Sequence, residues 1–111
     1  MEKTKLVKAK VRRLARRSRF WAAVLENLEK PSRKWRVVNI YHLNKVAPPG
    51  GKVLVMGKLL GAGVLEKRLD VVAFDFSEVA HRKIREAGGE ALYLEEYLSK
   101  GGDGKGFILV G

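Results

Sequence analysis

The first thirty residues place apolar side chains at helical intervals, and the remainder places them in short runs broken by glycine and proline. From Thr4 to Arg17, Val7, Val11 and Leu14 recur at i, i+4 and i+7 among polar and basic residues, which predicts an amphipathic helix. Its stripe is narrow, so the helix is expected to rest one edge on the body and turn the rest outward. Ser18 suits the N-cap of a second helix, Arg19 to Glu29, whose Trp21, Val24, Leu25 and Leu28 form a wider apolar face that Pro31 ends. The same apolar residues also fit one continuous helix, bent or unbroken at Ser18, and the pattern does not choose between the two.

Beyond a short connector, Val37 to Ile40 reads as extended, and Tyr41 to Val46 as a short helix stopped by Pro48-Pro49-Gly50-Gly51. Lys52 to Met56 is a strand. Leu69 to Phe74 is another, apolar almost throughout, as a central strand covered on both faces would be. Ser77 caps a helix whose Ala80, Ile84 and Ala87 form the buried stripe and which Gly88-Gly89 ends. Ala91 to Leu94 and Phe107 to Val110 are strand-like, with a short helix from Glu95 to Lys100 between them. Strands alternating with helices favour an α/β fold: a small parallel or mixed sheet with helices packed on it, preceded by basic N-terminal helices. The chain divides into a basic helical region, 1–36, and a compact α/β body, 37–111, which together make a single structural domain of 111 residues.

Charge sharpens this division. Of the net +11, residues 1–36 carry +10, with 13 Lys/Arg against 3 acids, and residues 37–111 carry +1, with 10 against 9. A basic excess so one-sided points to a polyanionic partner. Lys5, Lys8, Arg12, Arg13, Arg16, Arg17 and Arg19 on the helices, and Lys30, Arg33, Lys34, Trp35 and Arg36 in the connector, are the candidate RNA-contacting residues. Trp35 suits stacking on a base and equally suits covering a sheet edge. A cationic helix on an anionic membrane is disfavoured by the narrow apolar stripe. No cysteine is present, which fits a reducing, cytoplasmic setting, and no apolar run approaches the roughly 20 residues that span a bilayer.

The chemistry of Gly57 to Lys67, a stretch of three glycines and several lysines between two apolar runs, decides the rest. A phosphate loop requires G-x-x-x-x-G-K-[ST], but Leu59 follows Gly57-Lys58 and Val53 follows Gly51-Lys52. A dinucleotide fingerprint begun at Gly61-Ala62-Gly63 meets Glu66 where a glycine is needed. The four serines sit in no nucleophile elbow, and His42 and His81 lack partners at ligand spacing. No catalytic residue, metal site, cofactor or small-molecule substrate is assigned. Gly57, Lys58, Gly61, Gly63 and Lys67 are instead expected to bring backbone and ammonium groups against RNA phosphates. On this reading Gly61→Val weakens docking and leaves the domain folded.

Leu28-Glu29-Lys30-Pro31, Val38-Asn39, Gly57-Lys58-x-Leu60-Gly61-x-Gly63-Val64-Leu65, and Asp75-Phe76-Ser77 with Ala80-x-x-Lys83-Ile84 and Gly88 resemble, in order and spacing, the 18e protein family of the large ribosomal subunit, related to ribosomal protein 15. The length resembles the archaeal form. The resemblance implies an irregular superhelical arrangement of strand-helix units and a non-catalytic structural component of the large subunit. It further implies binding to large-subunit rRNA through the basic N-terminal region and the glycine-lysine stretch, beside neighbouring ribosomal proteins in the cytoplasm. Tyr41 and His42 depart from the small or basic residues expected after Val38-Asn39, and Ser18-Arg19-Phe20 lacks a glycine-like break. Two readings from other classes stand beside it: a free-standing RNA- or DNA-binding protein, and a small nucleotide or phosphate-ester enzyme dependent on Lys58.

Overall fold

A computed structural model describes residues 2–111, with side chains from Leu6 onward, so Lys5 lies outside the described side chains. In chain order the elements are α1 (Glu2–Ala15), α2 (Arg19–Leu28), one 3-10 turn (Ser32–Lys34), β1 (Arg36–Asn39), α3 (Ile40–Val46), β2 (Lys52–Leu60), β3 (Asp70–Phe76), α4 (Glu78–Glu86), β4 (Ala91–Tyr93), α5 (Leu94–Ser99) and β5 (Phe107–Val110). The N-terminal segment is two helices. Ser18 takes extended backbone angles and its hydroxyl accepts from the Trp21 N–H at 3.3 Å, so the cap seen in the sequence is what separates them.

All strand pairings are parallel. β2 is central: β3 lies along one edge, and the other edge is shared end to end by β5, against Lys52–Val55, and β1, against Gly57–Leu60. β4 closes the far side beyond β3. Alternation along β2 and β3 sends side chains to two separate cores. Val53, Val55, Val71 and Ala73 pack with Leu43 of α3 and Ala80 and Ile84 of α4. Leu54, Met56, Val72 and Phe74 pack with Val11 of α1, Trp21, Val24 and Leu28 of α2, and Leu94 and Leu98 of α5. The sheet is therefore covered on both faces, as its continuous apolar runs require. Trp21 is buried and its indole N–H donates to the Asp103 carbonyl at 2.9 Å, which ties α2 to the loop before β5.

One boundary differs from the sequence reading. β2 continues through Gly57-Lys58-Leu59-Leu60, so the first half of the glycine-lysine stretch is strand and only Gly61 onward is loop. Pairing with β1 extends it, because Arg36 stands opposite Gly57 and Asn39 opposite Leu60.

Candidate nucleic-acid interface

Helical spacing alone decides which face of α1 meets the protein and which meets solvent. Val11 is fully buried, Val7 and Leu14 are half-buried, and Lys10, Arg12, Arg13, Arg16 and Arg17 are exposed, with Lys8 intermediate. The chain then folds back through Ser18, and Arg12 reaches Glu29 beyond the end of α2 at 3.4 Å. That contact brings the middle of α1 beside Lys30 and the connector carrying Arg33, Lys34 and Arg36. Among the described residues, Arg13, Arg16, Arg17, Arg19, Arg33, Lys34 and Arg36 have no carboxylate at ion-pair distance, and all seven are exposed. Cations held close together without counter-charges repel one another, and an external polyanion relieves that repulsion.

Trp35 takes the second of its two sequence roles. Its ring packs edge-on against Phe74 at 5.1 Å, and its N–H donates to the Lys30 carbonyl at 3.1 Å. It is half-buried over the sheet and fastens the basic connector to it.

The glycine-lysine stretch is built against the chain's own backbone. A Cβ on Gly57 would stand 2.1 Å from the Arg36 carbonyl oxygen, so the absent side chain lets β1 pair closely with β2. At Gly61 it would stand 2.5 Å from Cγ1 of Val79 and 3.0 Å from the Ala80 nitrogen, so Gly61 admits the start of α4. Gly63, at φ +97°, turns the loop beside Tyr41 in a region that favours glycine. Valine at Gly61 would therefore disturb the packing of α4, contrary to the expectation that the domain tolerates it.

The lysines divide between the fold and the surface. Lys67 donates to the carbonyls of Asn44 at 2.9 Å and Ala47 at 2.7 Å, which satisfies the end of α3. Lys58 is half exposed and lies 3.9 Å from Asp75. Two residues without an assigned role in the sequence reading organise the loop. Lys83 of α4 donates to the carbonyls of Gly61 at 2.7 Å and Gly63 at 2.6 Å, and Asn44 brackets the loop by donating to the Val64 carbonyl at 2.7 Å and accepting from the Glu66 N–H at 3.0 Å. Lys83 lies within the quoted family motif, but its spacing to Gly61 carries no sign of contact. Nothing local marks Asn44 at all.

The fold and this surface define a class: a two-sided α/β sandwich that presents one densely cationic face built from an N-terminal helix pair and its connector. Residues 17–92 match the family model described as ribosomal proteins 50S-L15 and 50S-L18e with their 60S counterpart, and the chain belongs to that family. Similar proteins include the large ribosomal subunit protein eL18 of Archaeoglobus fulgidus, 43% identical over 90 residues that cover 81% of this chain and 77% of the relative. The proteins of the same description from Pyrobaculum aerophilum and Sulfurisphaera tokodaii are 44% and 41% identical, each over 91 residues, or 82% of this chain and 75% and 77% of theirs. The region matched by the family model includes α2, the basic connector and the glycine stretch, and α1 lies ahead of it.

Proposed function

We propose that this protein is a structural, non-catalytic constituent of the large ribosomal subunit, in the cytoplasm, docking on folded large-subunit rRNA beside other ribosomal proteins. The one observation that carries the reading is the face of unpaired cations running from Arg13 to Arg36. Its mechanism is electrostatic and steric. Arginines and lysines on two packed helices replace the counterions of closely approaching phosphates, and the rigid sheet beneath keeps their spacing constant. Recognition is then of RNA shape rather than base sequence, since Trp35, the aromatic ring of the basic connector, is held on Phe74 and is not free to stack.

The glycine-lysine stretch takes a smaller part in this proposal. Lys58 is its accessible cation, whereas Lys67 and the three glycines shape the loop that carries it. Fractionating a native cell extract on sucrose gradients at low and high salt tests the assignment. Co-migration with the large subunit at low salt supports it, and free migration at low salt while the protein still binds isolated RNA would show a free-standing RNA-binding protein instead.

A further inference from the structure

One side of this cationic chain is acidic. Residues 86–103 hold Glu86, Glu90, Glu95, Glu96 and Asp103 against Lys100 alone, a balance of −4 where residues 1–36 carry +10. This segment spans the end of α4, β4 and α5, so its charge gathers at the outer edge of the sheet. There β4 pairs with β3 on one side and, among the described residues, with no strand on the other. Between α4 and the end of β4 lies an open groove of about 810 Å³.

The groove has an aromatic wall. His81 and Tyr93 lie nearly parallel, 27° apart with centroids 6.3 Å apart, and Phe76 meets them edge-on at 5.5 and 5.2 Å. Glu78 and Glu86 line it together with Arg82 and Arg85, and Arg82 is engaged by Glu86 at 4.0 Å. Burial, and then the nearby carboxylates of Asp75 and Glu96, push the Tyr93 hydroxyl above its ordinary pKa, so two further negative groups act on the same ring. Aromatic faces attract a planar cation. Surrounding carboxylates add to that attraction and oppose a phosphate, which separates this groove from the nucleic-acid face. An open strand edge offers backbone groups to an extended chain.

We propose that the groove between α4 and β4 docks an extended, arginine-rich segment of a neighbouring protein, with a guanidinium against His81 and Tyr93. This contact goes beyond RNA docking and does not depend on it. The test titrates isotopically labelled full-length protein with a capped Gly-Arg repeat peptide, its Gly-Glu counterpart and adenosine monophosphate, following the NMR signals of His81, Ala91 and Tyr93. The Gly-Arg peptide is expected to shift these signals saturably, with about three-fold weaker binding in His81→Ala and weaker binding again in Glu78→Lys. Absence of these shifts, an equal response to the Gly-Glu peptide, or adenosine monophosphate moving the same signals in place of the Gly-Arg peptide would overturn the proposal. Because no ribosome is present, the result is independent of whether the cationic face binds rRNA.

Discussion

At Gly61 a single hydrogen occupies the space between the loop and α4, where a methyl group would meet Val79 and the backbone of Ala80. Overpacking of this kind typically costs about 1–3 kcal/mol, because a helix must shift as a unit to relieve it. Gly61→Val is therefore expected to lower the denaturant midpoint of the isolated protein by a corresponding amount, and an unchanged midpoint would show that α4 yields freely. Loss of RNA docking in this variant would follow from disturbed packing and would not report an RNA contact. The two carbonyls that Lys83 holds belong to the same loop, so its shape depends on a residue 20 or more positions away. Triple-glycine spacing was visible in the chain, but what each glycine approaches was not: Arg36, Val79 and Tyr41 come close only through strand pairing and helix docking.

Among the elements, α2 is the one that joins the cationic face to the sheet. It buries Trp21, Val24 and Leu28, and its first turn is held by Ser18. Removing a serine cap costs about 1 kcal/mol. Ser18→Ala is expected to destabilise the protein by that amount and to speed amide exchange at Trp21 above all, measurable by native-state hydrogen exchange. Equal exchange at that amide would mean that packing alone ends α1. The Ser18 cap, the Ser77 cap and the two-faced burial of β3 were legible in the sequence because each rests on local chemistry or strict periodicity. The extension of β2 to Leu60 was not, because Gly57 and Lys58 are poor strand residues that only pairing with β1 holds extended.

For the whole molecule, charge separates the surface into functions. Arg13, Arg16 and Arg17 are exposed and, among the described residues, without carboxylate partners, so they contribute little to stability and are free to meet phosphate. Exchanging all three for glutamate is expected to leave thermal unfolding nearly unchanged. It should also reduce the salt dependence of rRNA binding by up to about 0.9 in log-log slope for each phosphate no longer neutralised. A slope equal to that of the unaltered protein would remove these three residues from the interface. The acidic edge at β4 lies apart from α1 in the chain and in the fold, which lets one small domain present different surfaces to RNA and to protein.

The order of helices and strands, the caps that separate them and the concentration of positive charge before residue 37 all follow from the sequence alone. They depend on neighbours a few positions away or on simple composition. Only the tertiary structure decided that Trp35 covers the sheet, that Lys67 and Lys83 bind backbone carbonyls, and that β1 and β5 share one edge of β2. Those arrangements join residues distant in the chain, and a side chain's spare hydrogen-bonding capacity does not reveal which distant group will take it up.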